Sequence, residues 1–212
     1  MPDLLKLTLA TIPEAFFHRI EARMTSCTAI AYRQAVRTPP EVPAYRMRLG
    51  TTRYFERSEA FRLSAEDVGI PCRHEYVNTH AFPLALSGHF LITHAKVAHW
   101  GEPIEDKDYK QALARHNPSD GEQLALWDDT DPDAGVFAVV VVRYAEPGSG
   151  QDESVPMRIG FGVPTRDLKG WHLLLTLEQL FAAYADQVPQ LVDQARPVLK
   201  AKRGRMDTPN SQ

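Results

Sequence analysis

Two groups of residues have the types and spacing to do chemistry. Four arginines and three aromatics fall within Tyr45-Arg-Met-Arg-Leu-Gly-Thr-Thr-Arg-Tyr-Phe-Glu-Arg57, and five of the eight histidines, His74, His80, His89, His94 and His99, fall within 26 residues. A guanidinium pairs with phosphate oxygens and a neighbouring ring stacks on a base, so the first group suits nucleic acid. Imidazoles are the commonest raw material of metal and acid–base sites, so the second suits catalysis.

The arginine group is organised around Gly50-Thr51. Two short runs rich in aromatic and apolar residues on either side of this pair predict a β-hairpin with a two-residue turn over 45–57. In that register Tyr45, Met47, Leu49 and Tyr54 face inward, while Arg46, Arg48, Arg53, Phe55 and Arg57 share the outer face. Arg48 then stands opposite Arg53, and like charges in that position call for an anion. The anion is a phosphate of a nucleic acid, an acidic protein partner, or a carboxylate of this chain such as Glu56 or Glu59. A second cationic element, Lys200, Lys202, Arg203 and Arg205, lies near the C-terminal end.

The histidines are spaced poorly for a metal. His89, His94 and His99 are five residues apart, which alternates faces on a strand and misses the i, i+4 pairing of a helical metal site. A site would have to be assembled across strands from His74, Glu75, His80 and His89. Asp129-Thr-Asp-Pro-Asp133 opens like a calcium loop but has Ala134 and Val140 where Gly and Glu are required. Gly160-Phe-Gly162 begins like a dinucleotide fingerprint, yet Val163-Pro164 follows where a third Gly and a helix should start. Cys27 and Cys72 form no CxxC pair.

Charge is segregated although the net value is only −3: residues 26–74 carry eight basic and five acidic side chains, and residues 101–153 carry four and thirteen. The N-terminal run lacks a basic leader, and Val136–Val142 is too short to cross a bilayer as a helix. Periodicity and turn signals predict a helix over 12–25 opened by a Thr11–Glu14 capping box, and a strand over Cys27–Arg33. They further predict a helical turn ended by Gly69, extended structure from Arg73 to Trp100 and a polar helix over 105–116. Strands over 136–144 and 155–163 follow, and Thr176–Gln179 forms a second capping box whose helical region Pro189 and Pro197 interrupt.

The expected fold is α+β: a largely antiparallel sheet flanked by an N-terminal helix and broken C-terminal helices. It forms one domain over 1–200 with a flexible basic and polar tail over 201–212. The expected function is that of a non-enzymatic cytoplasmic protein that binds nucleic acid without a cofactor, as a subunit of a larger complex. A protein–protein adaptor using the same basic face, and a metal-dependent enzyme built on residues 74–99, are the alternatives.

Overall fold

The structure is a computed structural model, and it describes residues 3–77, 80–115, 117–118 and 135–187. Among the described residues, five helices and a six-stranded sheet make an α+β fold. In chain order these are α1 (Leu4–Thr11), α2 (Glu14–Ala35), α3 (Pro43–Asp67), β1 (Cys72–Val77), β2 (His80–Ser87), β3 (Phe90–Val97), α4 (Asp108–Ala114), β4 (Val136–Tyr144), β5 (Pro156–Pro164), β6 (Trp171–Thr176) and α5 (Leu177–Gln187). The strands lie side by side in sequence order, and every neighbouring pair is antiparallel except β3 and β4.

The predicted hairpin over 45–57 is a helix. Tyr45, Leu49, Arg53, Arg57, Phe61 and Ala65 recur at every fourth position, and all six are buried along one side of α3. Pro43 opens the helix where its missing N–H costs nothing. Gly69, at φ 73°, closes it: Ile70 N–H donates to the Ala65 carbonyl and Gly69 N–H to that of Glu66, the paired bonds of a Schellman end. The predicted strand over Cys27–Arg33 is also helical, because Cys27, Ala31 and Ala35 continue the buried stripe of Phe16, Phe17, Ile20 and Met24. The Thr11 capping box does not form: Thr11 already ends α1, and Pro13 occupies the cap of α2. The second box does. Thr176 N–H donates to Gln179 Oε1 at 2.9 Å, and Gln179 N–H donates to Thr176 Oγ1 at 3.2 Å.

β4 is buried on both faces, which is why it reads as an unbroken apolar run. Val136, Ala138, Val140 and Val142 face the core shared with α2, α3 and α5, where Phe17 meets Phe161 edge-on at 5.4 Å and Phe16 meets Phe61 at 5.9 Å. Phe137, Val139 and Val141 face a smaller core beneath Trp100, Leu113, Ala114 and Leu168.

The sheet is incomplete between β2 and β3. Both strands have eight residues, yet they pair only from Ala85–Ile92 to Ser87–Phe90. Pro83 explains the separation. Its carbonyl accepts Thr93 Oγ1–H at 2.7 Å and so points toward β3, and the N–H that proline lacks is the one β3 would have taken. The Ala81 carbonyl, which points the same way, accepts the Tyr54 hydroxyl of α3 at 3.1 Å. Tyr109 of α4 stacks on Phe82 of β2 at 4.1 Å. The sheet therefore divides beside the carboxyl end of β3, next to its parallel partner β4.

Candidate functional site

Folding into a helix splits the predicted arginine face in two. Arg46 and Arg48 are exposed, and Phe55, 65% exposed, stands on the outer side of α3 with Met47, which is 73% exposed. Arg53 and Arg57 turn the other way and are each only 6% exposed. Lys200, Lys202, Arg203 and Arg205 lie outside the described residues. Arg33 and Arg37, not singled out from sequence, lie exposed at the end of α2 and in its connection to α3. At 1.5 Å per residue, Arg33, Arg37, Arg46 and Arg48 all lie within about 8 Å, along the helix axes, of the α2–α3 connection. No carboxylate among the described residues lies within 4 Å of any of the four. Val36 and Val42 add exposed apolar surface at the same tip.

The four residues of the metal alternative are not gathered. His74 and Glu75 are successive on β1 and so point to opposite faces, and Glu75 pairs with Arg73. His80 begins β2 and His89 follows its end, separated by a strand of about 25 Å. No group of three or more His, Cys, Asp or Glu side chains among the described residues is placed to hold a metal ion.

Beneath α3, at the gap in the sheet, lies a cluster that the sequence did not announce. Arg57 Nε–H donates to His94 Nδ1 at 2.9 Å, and Ser58 Oγ lies 2.9 Å from His94 Nε2. A guanidinium can only donate, so Nδ1 accepts and the ring proton sits on Nε2. Nε2–H is then given to Ser58 Oγ, whose own hydroxyl hydrogen goes to the Tyr54 carbonyl at 2.9 Å. The chain of donors runs Arg57 to His94 to Ser58 to backbone. A nucleophilic serine needs the reverse, an unprotonated Nε2 accepting from Oγ, so this serine–histidine pair is not an activated nucleophile.

His94 is held well below its ordinary pKa, first by burial and then by the Arg57 and Lys110 charges. The unfolded chain takes up this proton near pH 6.5 while the folded chain does not, so the unfolded state binds more protons below that pH. Stability from this group is complete above about pH 6.5 and should fall by about 1.4 kcal/mol per pH unit as pH drops below it. The lowered carboxylates Glu59, Asp67, Glu105, Asp152 and Asp167 act only at lower pH, below their ordinary values of 3.8 to 4.5. Urea midpoints between pH 5 and 7 should show the slope in wild type and a flatter line in His94→Asn, and parallel lines would contradict the assignment.

Cations dominate the cluster. Arg53 lies 4.6 Å and Arg57 5.9 Å, measured from Cζ, from the centre of the Tyr144 ring. Lys110 of α4 is 5% exposed, and burial lowers its pKa to about 8. Glu153, in the loop joining β4 to β5, is the nearest counterweight, but its carboxylate accepts the Tyr45 hydroxyl and the Gly148 N–H, both at 2.8 Å. Among the described residues Arg53 Nη2–H donates to the Glu153 backbone carbonyl alone, at 2.6 Å. No carboxylate among the described residues stands within 4 Å of Arg53, Arg57 or Lys110. None of these residues lines the open cleft of about 710 Å³ bordered by Asp106, Gln111, Arg115 and the 165–169 turn. The chemistry available is the holding of negative charge, on the helical tip in the open and beside Tyr144 under cover.

No helix among the described residues is long and apolar enough to cross a membrane. Compared with known proteins, the chain matches no family, no curated protein and no solved structure.

Proposed function

We propose that the protein binds nucleic acid through the tip of the α2–α3 helical hairpin, without catalysis and as a cytoplasmic component of a larger complex. One observation carries the reading: four exposed guanidiniums, Arg33, Arg37, Arg46 and Arg48, surround one helix connection with no carboxylate in ion-pairing range among the described residues. Phe55 supplies an exposed ring for stacking two turns from Arg48. Lys200, Lys202, Arg203 and Arg205 add phosphate contacts in this reading. Arg53 and Arg57, bonded to Glu153 and His94, do not reach a polymer backbone from their buried places.

Titration against single- and double-stranded DNA and RNA over a range of salt tests the proposal. The four tip arginines alone contribute about −3 to the log–log slope on single strands and about −3.6 on duplex DNA, and each basic side chain of the 200–205 segment that engages a phosphate steepens it further. Arg46→Ala/Arg48→Ala should make the single-strand slope shallower by about 1.4, and Phe55→Ala should weaken single-strand binding without changing the slope. Absence of binding at low salt, or an unchanged slope in the double variant, rules the tip out. The exposed Val36, Val42 and Met47 favour a second reading, an adaptor docking on an acidic protein, since arginine and methionine are enriched at interfaces. That reading predicts no nucleic-acid binding and a protein complex lost on Met47→Glu.

A further inference from the structure

We propose that Arg53, Arg57 and Tyr144 form a covered binding site for a phosphate group, either the free ion or a small phosphate monoester. Three independent observations converge on one ring. The Tyr144 hydroxyl is buried and has no hydrogen-bond partner among the described residues, and Arg53 Nε is in the same condition. Both guanidiniums lie within 6 Å of the centre of the Tyr144 ring. The Glu153 carboxylate, the one that acts on Arg53 among the described residues, is occupied by Tyr45 and Gly148.

Buried donors are ordinarily satisfied, and a buried charge is ordinarily paired. Left over are a guanidinium N–H, which can only donate, and a phenol O–H, which is able to donate, so one acceptor satisfies both. Two neighbouring guanidiniums with one carboxylate in their field, itself hydrogen-bonded to Tyr45 and Gly148, leave an excess of positive charge that favours an anion. A water molecule would take the hydrogen bonds and leave the charge. Phosphate has the charge, and its oxygens match the fork of a guanidinium.

The β4–β5 loop covers the site, held down by Glu153 and turning at Gly148 and Gly150, both at positive φ. Entry therefore runs through release of Glu153. Its side chain is the internal competitor for the same positive field, so Glu153→Gln should tighten phosphate binding.

The test is calorimetric titration and thermal denaturation of the full chain with inorganic phosphate and with methyl phosphate, compared with acetate and chloride at equal ionic strength. Wild type should show saturable binding and a rise in melting temperature specific to the phosphate arms; tighter binding of methyl phosphate assigns the ester. Tyr144→Phe removes an unpartnered group, so it should fold at least as stably in chloride while its phosphate affinity drops by about tenfold, the loss of one hydrogen bond to a charged group. Arg53→Met should abolish the response. Arg46→Ala/Arg48→Ala should leave it intact, which separates this site from the nucleic-acid tip. An equal response to acetate, or a Tyr144→Phe protein that binds phosphate as wild type does, overturns the proposal.

Discussion

Gly160→Ala should lower the melting temperature by about 6–12 °C, from a loss of about 3 kcal/mol at about 2–4 °C per kcal/mol for a chain of this size. A methyl group at this position would overlap the Leu175 carbonyl oxygen of the neighbouring strand and the Cη2 atom of Trp100. The first obstacle is backbone in β6, paired to β5 on both sides of the contact, and it cannot rotate away. The second is an indole whose ring also carries the Arg158 guanidinium at 5.3 Å, so moving it disturbs a further contact. Gly50→Ala is the matched control. Gly50 lies inside α3 with nothing within 4 Å of an added methyl, and alanine there should stabilise by about 0.5–1 kcal/mol. Thermal denaturation of the two variants should move in opposite directions. Equal small shifts would mean that β5 and β6 tolerate separation at this point.

Lys110→Met should raise stability at pH 7 by about 2 kcal/mol, an unusual sign for removing a charged residue. The lysine is buried, its ammonium donates to the Glu105 carbonyl at 3.1 Å and stands 5.8 Å from the centre of the Tyr109 ring, and burial together with Arg57 and Lys107, partly offset by Glu105 and Asp106, holds its pKa near 8 against an ordinary 10.5. Keeping the proton in the fold therefore costs about 3 kcal/mol at neutral pH, and methionine forfeits one hydrogen bond worth about 1 kcal/mol. The unfolded lysine binds its proton more readily than the folded one between pH 8 and 10.5, so wild-type stability rises with pH across that window. The advantage of Lys110→Met should accordingly shrink as pH climbs from 8 toward 10.5. Chemical denaturation at pH 7 and pH 10 measures this, and a gap that stays constant would show that the ammonium is already neutral or already paired.

The helices and the site were unequally legible in the sequence, for a physical reason. Val136–Tyr144 was readable because a strand buried on both faces has no polar interruptions, and Thr176–Gln179 because a capping box is a local contact between residues three apart. α3 escapes the pattern for the opposite reason. Its buried stripe is regular, but two of its members, Arg53 and Arg57, are charged, and a hydrophobicity pattern counts them as surface. With those two positions discounted, what remains looks like alternation around Gly50-Thr51. The partners of the arginines come from far along the chain: His94 is 37 residues from Arg57, and Glu153 is 100 from Arg53. No spacing rule connects them. His94 stood among the five clustered histidines, but what distinguishes it is burial under α3, which only the fold supplies.

Pro83 gives the sheet a narrow waist. β1 and β2 form one plate joined by six residue pairs, β3 to β6 form another, and three pairs are all that bind the plates through their backbones. Thr93 of β3 bonded across the split to the Pro83 carbonyl, Tyr54 of α3 reaching Ala81 and Tyr109 of α4 lying on Phe82 act as rivets in place of a ladder. Side-chain rivets loosen one at a time where a ladder opens cooperatively. The β1–β2 plate is thus fastened to the rest of the sheet mainly by side chains and by α3, which packs across both plates, and the histidine relay and the two buried arginines lie along that seam.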